Sequence, residues 1–170
     1  MNTVLAAWND AEEKQATEAM LACCGARRWA AAMAALRPIE SIAELSVAAD
    51  RVWATMEETD WMEAFACHPR IGERNVPAHV GADSAACSRA EQARTNSASD
   101  DVLAEIAAGN QKYEELFGFT YIVCATGKSA GEMLAILKRR LGSTRDAELR
   151  EAAEQQRQIM QIRLGKWLIE

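Results

Sequence analysis

A chain of 170 residues with 49% hydrophobic and 26% charged residues holds enough apolar material for one compact domain, and a second would be a tight fit. The net charge of −6 argues against nucleic acid as the main partner, because phosphate binding draws on a concentrated basic surface, but it leaves room for a local basic pocket around a small anion. No apolar run reaches the roughly 18 residues of a membrane-spanning helix, Met1-Asn2-Thr3-Val4 lacks the regions of a signal peptide, and Leu168-Ile169-Glu170 is not a peroxisomal address, so no membrane partner and a cytoplasmic location are expected.

Abundant alanine and few aromatics favour helix throughout. Val4, Leu5 and Trp8, followed by Met20 and Leu21, predict a helix from Val4 to Cys24, with Gly25 as its C-terminal stop. Trp29, Met33 and Leu36 repeat at helical spacing and predict a second helix, stopped by Pro38. Ser41-Ile42-Ala43-Glu44 has the form of a capping box and opens a third helix, expected to run to about Glu57. Asp60 is expected to cap a short turn through Trp61, Met62 and Phe65. Cys67-His68-Pro69-Arg70-Ile71-Gly72-Glu73 then breaks regular structure.

An exposed loop is expected from Arg74 to Asp83, and helix resumes near Ser84 through Ser88, Glu91 and Gln92. Ser99 or Asp100 should cap a helix from Val102 to about Phe117, carrying Leu103, Ile106, Ala107, Tyr113 and Leu116. Gly118 to Gly127 is strand-like, and periodicity leaves open whether it is a short buried strand or an extended link. Ser129-Ala130-Gly131-Glu132 is a second capping box, opening a helix with Met133, Leu134, Leu137 and Leu141 that Gly142 closes. Ser143 or Thr144 caps the last helix, with Ile159, Ile162 and Leu164 buried. One strand-like run makes no sheet. The expected fold is therefore all-α: a single domain over residues 1–170, a helical bundle with one short extended segment near residues 118–126.

The five cysteines, Cys23, Cys24, Cys67, Cys87 and Cys124, show no disulfide framework and read mostly as small buried residues in a reducing compartment. His68 is the first candidate for chemistry. Pro69 confines it to extended conformations and stiffens the turn behind it, so the imidazole can be aimed, and its ordinary pKa suits proton transfer near neutrality. A hydrogen-bonded histidine at a helix end fits the same pattern. Ser88, Glu91 and Gln92 share a helix face that offers a hydroxyl, a carboxylate and an amide to a small polar ring, or simply a solvated polar face. Arg163 stands among Ile159, Met160, Ile162 and Leu164, either as a bidentate carboxylate anchor or as a cation complementing the helix dipole.

Two motifs lead nowhere. Gly127-Lys128-Ser129 ends like a phosphate-binding loop, but Ile122 stands where that loop needs its first glycine. Cys67, His68, His79 and Cys87 have metal-ligand chemistry without metal-site spacing, so no metal is expected.

The motifs taken together in chain order go further. His68-Pro69-Arg70-Ile71-Gly72-Glu73, Ser88-x-x-Glu91-Gln92, Asn110-x-x-Tyr113, Phe117-Gly118-Phe119-x-Tyr121-Ile122-Val123, Gly127-Lys128-Ser129 and Arg163-Leu164, with Arg28-Trp29, Met33 and Arg37-Pro38 upstream, resemble the 2-oxo-4-hydroxy-4-carboxy-5-ureidoimidazoline (OHCU) decarboxylases. Ala93-Arg94-Thr95 departs from the small or apolar residues common in that family after the Glu-Gln pair. The resemblance implies an all-α carboxy-lyase of urate degradation that needs no cofactor, acts on a small-molecule substrate and yields (S)-allantoin. It implies a catalytic role for His68 with Glu91 as its carboxylate partner. It implies substrate contacts from Pro69, Ser88, Gln92, Tyr121, Ile122, Val123, Cys124, Ala125 and Arg163, and it makes a homodimer plausible. Another small-molecule lyase on the same scaffold, or a helical interaction module without activity, are the competing expectations.

Overall fold

The computed structural model describes residues 2–72 and 99–169. Among these residues there are eight α-helices and no strand: α1 (Thr3–Asp10), α2 (Glu13–Cys23), α3 (Arg27–Ala35), α4 (Ile42–Trp53), α5 (Glu58–Ala66), α6 (Asp100–Phe117), α7 (Ala130–Arg140) and α8 (Arg145–Trp167). None is long and apolar enough to cross a membrane. The expected all-α class is what is found. The chain forms two compact units, one of Met1–Ala64 with Arg157–Glu170 and the other of Phe65–Gln156, so the last helix contributes residues to each. The loop expected at 74–83 and the helix expected from Ser84 lie outside the described residues.

In the first unit, the single helix expected from Val4 to Cys24 is two. A continuous helix carrying Leu5, Trp8 and Ala16 inward would carry Glu12 inward as well, and an unpaired buried carboxylate is too costly. The chain instead turns extended at Ala11, and the Trp8 indole donates to the Ala16 carbonyl at 2.9 Å. Arg37 secures this corner by donating to the carbonyls of Trp8 (2.8 Å) and Ala11 (2.6 Å). Asn2 caps α1 by accepting from the Val4 and Leu5 N–H groups.

Gly25 is not the expected left-handed stop. Cys24, in extended conformation, ends α2, and the left-handed glycines among the described residues are Gly72, Gly118 and Gly127. Ser41 accepts from the Glu44 N–H as expected, but Glu44 reaches back to the N–H of Glu40 rather than to that of Ser41. α4 stops at Trp53, short of Glu57. Asp60 lies inside α5 and caps it from within, accepting from the Glu57 N–H at 2.9 Å. Asp50 accepts from both Arg157 and Gln161, which ties α4 to the second half of α8. Leu36, expected inside, is exposed.

In the second unit, α6 buries Ile106, Asn110, Tyr113 and Phe117 along one stripe and leaves Leu116 exposed, correcting the expected face. Ser99 precedes α6 without a side-chain cap, and Asp100 and Asp101 complement the helix dipole instead. Gly118 closes α6 in the left-handed conformation, φ 80°, its N–H donating to the Glu114 carbonyl. Residues 119–125 form the extended link, not a strand. Ser129 and Glu132 make the complete reciprocal capping box of α7. Gly142 does not close α7 as a left-handed cap; Leu141 ends the helix. Thr144 accepts from the Ala147 N–H at the start of α8. Ile159 and Leu164 on α8 are buried, but Ile162 is only half-buried. A Cβ at Gly109 would sit 2.6 Å from the Leu137 side chain, so glycine there sets how closely α6 and α7 pack.

The core of this unit is aromatic. Tyr113 packs against Phe117, Phe119 and Tyr121 with ring centroids 4.6 to 5.7 Å apart, and Phe65 packs on Phe119. Within it lies a buried ion pair, Arg140 to Glu148 at 2.7 Å, each 3% exposed. The Tyr113 hydroxyl donates to Glu148 (2.7 Å), and the Arg140 guanidinium lies over the Tyr113 and Tyr121 rings. Cys23, Cys24 and Cys124 are buried and outside any disulfide, as is the half-buried Cys67.

Tyr113 and Tyr121 are the chain's two tyrosines. Burial pushes both phenols well above their ordinary value of 10.0; Glu148 adds to this and Arg140 opposes it. The native phenols therefore keep their protons at a pH where those of the unfolded chain have lost theirs. Their contribution to stability is whole below pH 10 and declines as the pH rises beyond it. An alkaline titration should accordingly show tyrosinate absorbance appearing only together with loss of the helical circular dichroism signal. Phenolate forming near pH 10 in a folded protein would contradict this burial.

Candidate active site

His68 stands just beyond α5, its N–H donating to the Phe65 carbonyl at 3.1 Å. The residues that follow are clamped onto α6 at two points. Arg70 makes a bidentate pair with Glu114, at 2.8 and 2.6 Å. Asn110, itself buried, donates to the Ile71 carbonyl at 3.1 Å. Pro69 and Ile71 are buried, and Gly72 takes the left-handed conformation at φ 78°. The stiffness expected from the Pro-Gly pattern is thus reinforced by side chains from a helix about 40 residues later in the chain. The half-buried His68 ring places Nε2 2.7 Å from Oε1 of Gln156, which is 0% exposed. The histidine is hydrogen-bonded through its ring.

The extended link has a different means of support. With no neighbouring strand, its backbone is held by side chains. The Cys124 N–H donates to Gln155 Oε1 at 2.9 Å, and the Cys124 carbonyl accepts from Lys128 Nζ at 2.7 Å. The Ile122 carbonyl accepts from Arg140 at 2.7 Å, and the Ala125 carbonyl accepts from the Lys128 N–H. The Tyr121 hydroxyl donates to the Met133 carbonyl at 3.1 Å. Several backbone groups that the sequence offers for recognition are thus already engaged. Val123 keeps both its N–H and its carbonyl without a hydrogen-bond partner among the described residues.

One turn of α8 therefore serves both features: Gln155 holds the link and Gln156 holds the histidine. Sequence reasoning passed over these glutamines, although Gln156 carried a readable signal. Leu149, Ala152, Ala153, Ile159, Met160 and Leu164 form the buried stripe of α8, and Glu148, Gln156 and Arg163 are the polar residues at positions of that stripe. Arg163 was singled out on that ground. It belongs to the other unit and is 3% exposed. Lys128, part of the Gly127-Lys128-Ser129 motif, serves the link by donating to the Cys124 carbonyl. Ser88, Glu91, Gln92 and His79 lie outside the described residues.

The chemistry available to the imidazole is proton transfer near neutral pH.

Residues 9–165 match the family described as OHCU decarboxylase. The chain is 37% identical to the uric acid degradation bifunctional protein TTL of Arabidopsis thaliana over 147 residues, which is 85% of this chain and 44% of that protein, so it spans less than half of that relative's length. It is 26% identical to the 2-oxo-4-hydroxy-4-carboxy-5-ureidoimidazoline decarboxylase of Haloferax volcanii over 132 residues, 76% of this chain and 74% of that one. Among solved structures, it superposes with a TM-score of 0.76 and 31% identity on a crystal structure of an OHCU decarboxylase in the presence of (S)-allantoin, covering 94% of this chain and 100% of that chain.

Proposed function

The chain belongs to the OHCU decarboxylase family, and from that premise we propose that it decarboxylates 2-oxo-4-hydroxy-4-carboxy-5-ureidoimidazoline to (S)-allantoin, with His68 as the proton donor. The family match across residues 9–165 carries this reading, and the clamped histidine supports it.

Breaking the bond to the carboxylate leaves an electron pair on a ring carbon. The conjugated imino group of the substrate takes up that pair, so the ring serves as its own electron sink. Carbon dioxide departs, the hydroxyl on that carbon gives up its proton to become the ring carbonyl, and the neighbouring ureido-bearing carbon receives a proton on one face, which sets the hand of the product. The protein's part is to hold the ring, stabilise the developing charge and deliver the proton. His68 supplies the proton. Glu91 orients it or holds the substrate hydroxyl, a neighbouring carboxylate favouring the charged imidazole. Arg163 grips a carboxylate or ring carbonyl with its planar fork. Ser88 and Gln92 bind polar edges of the substrate, and Pro69 packs against it. In the Tyr121–Ala125 stretch, Val123 is the residue best placed to offer both a donor and an acceptor from its backbone.

The test uses substrate made in place from urate by urate oxidase and hydroxyisourate hydrolase. The intermediate decays unaided to racemic allantoin, so circular dichroism of one hand reports enzymatic turnover alone. Rapid growth of the (S)-allantoin signal on adding the protein is the expected result. A trace matching the unaided decay, with the protein folded, would reject the assignment.

A further inference from the structure

We propose that Gln156 is a positioning residue that holds His68 in the tautomer carrying hydrogen on Nε2, so that the proton His68 delivers leaves from Nδ1. This rests on the reading of His68 as the proton donor.

Gln156 occupies an apolar register. Ala152, Ala153, Ile159 and Met160 flank it on the same buried stripe of α8, and its side chain is fully buried. An amide costs free energy at such a position unless its polar atoms are bonded, and Leu or Met would fill the space at no such cost. What the amide adds is an acceptor 2.7 Å from the ring nitrogen. An amide oxygen carries only lone pairs, so the Nε2 facing it must bear the hydrogen. The neutral and the charged ring both carry hydrogen there. The bond therefore persists through a proton-transfer cycle, and the proton that is loaded and released sits on the other nitrogen.

Gln155 extends the arrangement. Its Nε2 donates to Glu151 at 3.0 Å, which turns its Oε1 toward the Cys124 N–H. Adjacent residues on a helix point about 100° apart. One turn of α8 thereby reaches both the histidine and the extended link, and sets the spacing between proton donor and recognition segment.

The tautomer can be read directly. His68 and His79 are the chain's two histidines, so two-bond nitrogen–proton correlation spectra of the labelled full chain hold two ring systems, and His79→Gln identifies the remaining one. The expected result for neutral His68 is a pyrrole-like Nε2 and a pyridine-like Nδ1. The opposite tautomer, or an averaged ring, overturns the proposal whatever the activity. Two variants test the consequence. Gln156→Met fills the space without the acceptor and should lower kcat about tenfold or more while KM stays within about twofold. Gln156→Glu keeps an acceptor and should keep the Nε2–H tautomer. Unchanged kcat in folded Gln156→Met rejects the positioning role. Full turnover in His68→Ala would instead reject the catalytic reading of His68 and leave the tautomer result standing, so the two failures are distinguishable.

Discussion

His68→Gln is expected to lose enzymatic (S)-allantoin formation by about 10²- to 10⁴-fold, the range that a positioned acid or base contributes, while unfolding at nearly the wild-type urea concentration. The two halves of this expectation have separate causes. Catalysis fails because an amide cannot release a proton near neutrality. Stability survives because the side chain is only half-buried, lies outside any helix, and leaves the clamps from Glu114 and Asn110 on the following residues intact. Glutamine can still bond Gln156. His68→Ala should lose the same activity and somewhat more stability, on the order of 1–3 kcal/mol, because it removes the hydrogen bond that the imidazole makes to a buried amide. Turnover and urea midpoints measured on both variants separate the effects. Retained turnover in either one removes His68 from the mechanism.

Arg140→Met should be the most destabilising single change in the second unit, costing about 3–5 kcal/mol, because it leaves the Glu148 carboxylate buried without its partner. Three further interactions go with the guanidinium: the bond to the Ile122 carbonyl, the bond to the Tyr113 hydroxyl, and the stacking over two tyrosine rings. Replacing both members, Arg140→Met with Glu148→Met, should cost less than the sum of the single changes, since neither charge is then stranded. Urea unfolding of the two single variants and the double variant measures this. A shift below about 1 kcal/mol for Arg140→Met would show the pair to be dispensable. The Ile122 bond also predicts a functional effect below the unfolding transition, as the extended link loses one of its anchors.

The parts of this fold that are legible in the sequence are those set by neighbours a few residues away. The second capping box and the stripe of α7 follow from local spacing. The break between α1 and α2 is not marked by proline or glycine. It comes from excluding Glu12 from the interior and from carbonyls that Arg37 satisfies 26 and 29 residues later. Gly25 and Gly142 look like helix stops, yet neighbouring residues end those helices without the left-handed conformation. The candidate site divides in the same way. Proline after His68 announces a stiff turn, but the residue that orients the ring is 88 positions away, and only its polarity on an apolar stripe betrays it. Backbone groups of the link look available in the sequence because nothing local shows that Gln155, Lys128 and Arg140 will take them. The order of motifs along the chain carries the family resemblance, which local physics alone does not supply.

The buried sulfurs give this protein two native clocks. Cys23 and Cys24 belong to one compact unit and Cys124 to the other, and a bulky alkylating reagent reaches each only when the packing around it opens. Following the alkylation of each sulfur over time by mass spectrometry therefore times the breathing of each half of the molecule separately, with no engineered probe. The Cys124 clock runs beside the very peptide that Gln155 and Lys128 grip. Slower modification of Cys124 in the presence of allantoin, at an unchanged rate for Cys23 and Cys24, would locate product binding by kinetics alone.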